Sequence, residues 1–204
     1  MRAVRQVRGR AVVIDRRDVD TDQIIPAAWL KRVERTGFGA GLFEAWRADP
    51  AFALNQPGSG GAKVLVAGAN FGCGSSREHA VWALQDFGFE AVVAPSFADI
   101  FRGNSVGAGL VTAQADEDAV ASLIAVLAAD PGADVVVDVA GRTVSVPAAG
   151  FTAPFVIGDY ARWRLLEGLD DIGVTLRHED AVAAYERTRP SWLPVSGTPA
   201  RVTI

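Results

Sequence analysis

Apolar residues in this chain follow two rhythms. Residues 10–14 ("RAVVI"), 63–69 ("KVLVAGA") and 90–95 ("EAVVAP") are short, nearly unbroken apolar runs, which predict buried strands. Between the last two, Ala80, Ala83, Leu84 and Phe87 recur at i, i+3, i+4 and i+7, which predicts a helix that Gly88 closes. Strand, helix and strand of this length form a βαβ unit with a right-handed crossover. The turn between the first strand and the helix then lies at the carboxyl edge of a parallel sheet, where ligands usually bind.

Elsewhere the pattern is looser. The strand at 10–14 runs into an acidic turn, "DRRDVDTD", and "QIIPAAWL" stays apolar until Pro26 interrupts it. Residues 31–61 are polar and rich in Gly and Pro but carry Phe38, Phe43, Trp46 and Phe52, which predicts an excursion with short helical turns that could serve as an active-site lid. "SFADIFRGN" reads as a short helix capped by Ser96, and residues 117–129 as an amphipathic helix stopped by Pro131 and Gly132. "DVVVDVAGRTVSV" predicts a β-hairpin turning near Ala140 and Gly141, and "YARWRLLEGL" and "EDAVAAYERTR" predict two later helices. At 204 residues, 50% hydrophobic, the chain suits one buried domain, expected over residues 1–194, with a C-terminal tail at 195–204.

Charge and cysteine usage narrow the function. The formal net charge is −4, and all but Lys31 and Lys63 of the 20 basic residues are arginines, scattered rather than clustered. Arg2, Arg5, Arg8, Arg10, Arg16 and Arg17 make the first segment basic, but Asp15, Asp18, Asp20 and Asp22 answer them, so no nucleic-acid footprint is expected. Cys73 stands alone, so the chain forms no internal disulfide and cannot by itself supply the thiolates of an iron–sulfur cluster or structural zinc. No apolar stretch is long enough to span a bilayer and no signal core opens the chain, so a cytoplasmic location without membrane contact is expected.

The turn "ANFGCGSSREHA" carries the chemistry. Gly74 is followed by Ser75, Ser76 and Arg77 rather than by the Lys and Ser or Thr of a P-loop, and Arg77 stands where a dinucleotide fingerprint needs its third glycine. Ser75 also lacks the flanking glycines of a nucleophile elbow. Ser75 and His79, four apart, would share a helix face, but no orienting acid completes a hydrolase triad. Ser75 and Glu78 have capping-box spacing, which offers a structural role for the serine. The remaining reading is an anion site: free N–H groups where a strand enters a helix, with the planar fork of Arg77 better matched to a carboxylate than to a phosphate.

Three other features have plainer readings. Asp18, Asp20 and Asp22 begin like a calcium loop, but Gln23 stands where the glycine belongs and Trp29 where the bidentate glutamate belongs, so turn chemistry is expected. Cys73 beside the turn could pass for a nucleophile, though small buried cysteines are commoner. His79 and His178 are lone histidines for which structural roles are expected.

"DVDTDQIIP", "WLKRVERTGFGAGLFEAWR", "ANFGCGSSREHAVWAL", "SFADIFRGN" and "WRLLEGLDDIGVTLR" together resemble the small subunit of bacterial 3-isopropylmalate dehydratase, of the aconitase superfamily, over about residues 9–194. The resemblance implies an α/β fold, a swivelling β/β/α domain with a parallel βαβ core, active only with a large subunit that carries a [4Fe-4S] cluster. No cofactor and no metal would be bound by this chain. It implies dehydration of 2-isopropylmalate to 2-isopropylmaleate and rehydration to 3-isopropylmalate in leucine biosynthesis, with the cluster's open iron acting as Lewis acid.

By position in "GSSRE", Ser75 matches the catalytic base, and Ser76 and Arg77 match contacts to the carboxylates of a small dicarboxylate substrate. Thr21 and Asp22 are placed near that substrate by "TDQIIP", and Asn104 on the far side of the pocket. Residues 28–38 correspond to a substrate-discriminating loop. Trp29 and Leu30 there suit an alkyl group, whereas Lys31, Arg32 and Arg35 keep open a third carboxylate, as in homoaconitate. A homoaconitase-like or methylmalate-type dehydratase small subunit shares every one of these motifs, and a non-catalytic carboxylate-binding module is the alternative of a different class.

Overall fold

The computed structural model describes residues 1–193 other than Val33, Arg35 and Ser191. The tail expected at 195–204 and Arg35, expected in the substrate-discriminating loop, lie outside the described residues. The chain forms two compact units, Met1–Asp170 and Asp171–Ile204, so the first ends well before residue 194.

A seven-stranded sheet of order β4-β3-β2-β1-β5-β6-β7 organises the first unit. Strand β1 (Gln6–Ile14) joins its two halves. Ala11, Val12, Val13 and Ile14 pair in parallel with β2 (Val64–Ala67), while residues 6–10 pair antiparallel with β5 (Asp134–Asp138). Parallel pairing continues from β2 to β3 (Ala91–Ala94) and β4 (Val111–Gln114). On the other side, β5, β6 (Thr143–Val146) and β7 (Phe151–Pro154) form an antiparallel meander whose first turn falls at 139–142, the place the hairpin pattern predicts.

The period of two decides which core each strand residue enters. Leu65, Ala67, Val92 and Ala94 face one cluster, and their neighbours Val64, Val66, Ala91 and Val93 face the other. Both faces of the parallel half are therefore buried, which is why β2 and β3 read as continuous apolar runs. The first cluster is covered by α1 (Thr21–Ile24), α2 (Glu44–Arg47), α3 (Glu78–Phe87) and α4 (Asp99–Ala108). The second takes Val120, Leu123 and Leu127 of α5 (Glu117–Ala129) and Leu165 of α6 (Asp159–Glu167).

Helix α3 buries Ala80, Val81, Ala83 and Leu84 and stops as expected at Gly88, whose φ of +122° lets its N–H reach the carbonyls of Leu84 and Gln85. The capping box expected from Ser75 and Glu78 is not formed. The N-cap of α3 is Arg77, in extended backbone and with no side-chain cap, so Ser75 stands outside the helix. Ser96 likewise does not cap α4, whose N-cap is Ala98. That helix runs on past Asn104, which sits in its second turn with a buried Nδ2 that has no hydrogen-bond partner among the described residues.

Among the described residues of the excursion over 31–61 are 3-10 turns and α2, and from Phe38 onward buried side chains anchor it to the core. Phe38, Leu42 and Phe43 are fully buried, and Phe52 and Leu54 nearly so. The turn Phe38–Gly41 abuts the end of α3, with the Phe38 N–H donating to Asp86 Oδ2 at 2.9 Å. A Cβ on Gly39 would lie 2.8 Å from the Phe87 nitrogen, so only glycine allows this approach. Phe38, His79 and Trp82 form an aromatic cluster with centroids 4.7–5.7 Å apart, which gives His79 the structural role expected of it. In the second unit, α7 (Asp171–Leu176) and α8 (Glu179–Thr188) include the second of the two predicted later helices. No helix among the described residues is long and apolar enough to cross a membrane.

Candidate functional site

Because β1, β2 and β3 are parallel neighbours, the loops leaving their carboxyl ends emerge side by side, and hydrogen bonds zip them together. The Asp18 N–H donates to the Ala69 carbonyl at 2.9 Å, Gly72 to Val19 at 2.8 Å and Thr21 to Cys73 at 2.9 Å. On the opposite side Phe71 donates to Ser96, and Ala98 to Phe71, both at 3.1 Å. Residues 70–73 thus lie between 18–21 and 96–98 as an irregular prolongation of the sheet, with bridges Asp20↔Cys73 and Phe71↔Phe97.

Left-handed residues make the bends. Asp18 and Asn70 have φ of +54° and +59°, conformations that short polar side chains tolerate. Asn70 Nδ2 donates to Asp18 Oδ1, and the Asn70 N–H to Ser96 Oγ, both at 2.8 Å. Ser96 therefore ties the loop down instead of capping a helix. At Gly72, φ is +77° and a Cβ would meet Phe101 Cγ at 2.2 Å, so glycine is required twice over.

On the β1 side, Asp20 caps α1 with a complete capping box. Its carboxylate accepts from the Gln23 N–H at 2.7 Å, and Gln23 Oε1 accepts from the Asp20 N–H at 3.0 Å. The D-x-x-Q spacing in "DTDQ" signals this device, but the calcium-like run of aspartates around it hides the signal from a reading of the sequence. The box aims the next two residues at the glycine turn. The Thr21 hydroxyl donates to the Ser75 carbonyl at 3.0 Å, and the Asp22 carboxylate pairs with the Arg77 guanidinium.

The side chain of Arg77 is 14% exposed and that of Asp22 57%. The guanidinium is therefore largely shielded by protein, while its carboxylate partner faces solvent. Ser75 and Ser76 are exposed, and among the described residues the Ser75 hydroxyl has no hydrogen-bond partner. Burial, helped by the Asp20 and Asp18 carboxylates, pushes the Cys73 thiol up from its ordinary value, so it is a poor nucleophile at neutral pH.

The structure thus gathers Thr21, Asp22, Ser75 and Arg77, with Ser76 between the last two. The profile of the aconitase C-terminal domain family matches residues 1–118, and residues 171–194 match the profile of the C-terminal domain of the 3-isopropylmalate dehydratase small subunit. Over 186 residues the chain is 59% identical to the 3-isopropylmalate dehydratase small subunit of Frankia alni, covering 91% of this chain and 94% of that protein. The chain belongs to the 3-isopropylmalate dehydratase small-subunit family. The family's small subunit in Rubrobacter xylanophilus is 54% identical over 194 residues, which cover 95% of this chain and 98% of that protein. The crystal structure of a 3-isopropylmalate dehydratase from Methanocaldococcus jannaschii shares the fold, with TM-score 0.65 at 28% identity over 89% of this chain and 99% of that one. The mixed sheet with its parallel βαβ core is accordingly the fold of the aconitase C-terminal domain.

The residues expected of the family's discriminating loop are distributed differently. Trp29 packs on the first core, lies 6.4 Å from the Phe38 ring and donates from Nε1 to Glu44 at 2.8 Å. Arg32 lies over the Trp29 ring at 5.1 Å and pairs with Glu34 at 3.9 Å. Leu30 is half-buried, and Lys31 is exposed.

The chain's own donors do not fit an iron–sulfur cluster. Its only thiol is Cys73, and among the described residues no three His, Cys, Asp or Glu side chains gather as a metal site.

Proposed function

We propose that this chain is the small subunit of a heteromeric, cytoplasmic hydro-lyase that isomerises 2-isopropylmalate to 3-isopropylmalate through 2-isopropylmaleate in leucine biosynthesis. Ser75 is its base, Ser76 and Arg77 form the carboxylate-binding edge, and Asp22 lies beside that edge as the ion-pair partner of Arg77. The observation that carries the reading is an exposed serine hydroxyl, free of any hydrogen bond among the described residues and outside the helix, two residues from a shielded guanidinium.

In the dehydration, Ser75 Oγ as alkoxide takes a proton from the methylene next to the hydroxyl-bearing carbon. The C–H electron pair forms the double bond as the C–O bond breaks, and the hydroxyl departs as hydroxide, which becomes water by taking a proton from an acid that the second protein surface would supply. In the hydration water gives a proton back to that acid as its hydroxide adds to the former methylene carbon, and the Ser75 hydroxyl gives its proton to the neighbouring carbon, so the cycle is redox-neutral and the Ser75 alkoxide is regenerated. Arg77 holds a carboxylate through two parallel N–H bonds and fixes which carbon faces Ser75.

A magnitude limits what this chain achieves alone. A helix N-terminus supplies at most about 2 kcal/mol, roughly 1.5 pKa units, within its first turn. Ser75 lies two residues before the N-cap of α3, and the Arg77 charge is partly met by Asp22. Ionising a serine near neutrality needs far more, and excluding water by itself disfavours the charged form, so positive charge and hydrogen-bond donors brought by a second protein surface must supply it. A large subunit bearing the [4Fe-4S] cluster is the partner in this reading.

Anaerobic co-purification with a cluster-bearing large subunit, followed by the absorbance of the unsaturated intermediate, tests it. Turnover of 2-isopropylmalate that needs both chains is the expected result. A complex with an intact cluster that turns over homoaconitate or a methylated malate instead would move the substrate, and the exposed Lys31 is the cation on which a third carboxylate would then be sought. A chain that forms no such complex would be a carboxylate-binding module.

A further inference from the structure

By resemblance Thr21 is expected to touch the substrate, yet only 2% of it is exposed, and both its donors are spent on the glycine turn. Its N–H donates to the Cys73 carbonyl at 2.9 Å and its hydroxyl to the Ser75 carbonyl at 3.0 Å. One residue thus fixes the carbonyls on either side of Gly74. Gly74 has φ +91°, and its missing Cβ would stand 3.5 Å from Thr21 Oγ1, so the two segments are in close contact there.

We propose that Thr21 is a positioning residue, which sets the direction of the Ser75 hydroxyl by holding the Ser75 carbonyl, and does not contact substrate. Glycine is the loosest joint a backbone offers. With peptide planes clamped on both sides of Gly74, the Ser75 Cα is fixed, and a carbonyl held inward toward Thr21 leaves the side chain of the same residue directed outward. The clamp is itself anchored, because the Asp20 capping box fixes the first turn of α1 and Asp22 in that turn engages Arg77. A four-residue helix therefore sets the base and the carboxylate clamp relative to each other.

The inference rests on Ser75 acting as base, and its test is run on the assembled complex. Thr21→Val keeps the shape and removes the donor, and Thr21→Ser keeps the donor. Misplacement of a reacting group by about 1 Å costs on the order of 100-fold. The expected result for Thr21→Val is a kcat lower by roughly 10- to 100-fold with KM changed less than about twofold, and for Thr21→Ser a kcat within about threefold of wild type. A raised KM at unchanged kcat would make Thr21 a substrate contact and overturn the proposal, as would unchanged kinetics. Equal losses in Thr21→Val and Thr21→Ser, or a Thr21→Val chain that gives no soluble complex, would assign Thr21 to packing instead. If the wild-type complex has no turnover, the functional reading fails and the role falls with it; an active wild type beside an unaffected Thr21→Val removes this inference alone.

Discussion

At the scale of single residues, chemistry and structure are separable in this loop. Ser75 caps no helix and its side chain is exposed, so Ser75→Ala is expected to leave complex yield and melting temperature unchanged while lowering kcat by about 100- to 10,000-fold, the usual contribution of a general base. Loss of soluble complex in proportion to activity would return Ser75 to a structural role. Cys73 is the converse case. Since its thiol is raised by burial and by Asp20 and Asp18, the folded chain keeps the proton where an unfolded cysteine, at about 8.5, has begun to lose it. Stability from this source is complete below the unfolded value and is lost as pH rises through the folded one. Alkylation by iodoacetamide is expected to reach half its limiting rate at a higher pH than for free cysteine, and a midpoint at or below the free value would mark an activated thiol. Ser75, Ser76 and Arg77 are legible as a cluster because they adjoin in sequence. That Ser96 secures Asn70 is not, since nothing local relates residues so far apart.

At the scale of elements, strands and long helices follow from periodicity, and α5 occupies the predicted residues. The helix starts are less legible, because Ser75 and Ser96 have the right chemistry for caps but are left facing solvent or claimed by the loop network. The glycine turn depends on tertiary neighbours in the same way. Gly72→Ala would place a methyl against Phe101 at a positive φ, costing about 2 kcal/mol or more. For a chain of this size that lowers the melting temperature by roughly 4–8 °C. Gly107→Ala, in α4 with nothing within 4 Å of the added Cβ, is the matched control and is expected to be neutral or slightly stabilising. Equal melting temperatures for the two variants would show that the Phe101 contact does not define the turn. The excursion has the composition of a lid, but burial of Phe38, Leu42, Phe43, Phe52 and Leu54 anchors residues 38–54 to the core.

At the scale of the molecule, the site is a rim of exposed serines beside a shielded arginine, open to whatever surface meets the carboxyl edge of the parallel strands. Titration of a fixed amount of large subunit with this chain is therefore expected to give activity that saturates near equimolar complex, with neither chain active alone; activity of the isolated chain would mean that Ser75 ionises without any charge from a second protein surface. The sequence by itself determined five of the seven strands, the main helices, the βαβ core and the cluster Ser75, Ser76 and Arg77, because periodicity and adjacency are properties of neighbours along the chain; β4 and β7, four residues each, carry too short a pattern to be read alone. Only the tertiary structure decided that Thr21 and Asp22 meet Ser75 and Arg77, that β1 serves both a parallel and an antiparallel half-sheet, and that Trp29 belongs to the core. Those facts arise where segments some fifty residues apart are brought side by side by parallel pairing, and the hydrogen bonds that fix them have no counterpart in any local pattern.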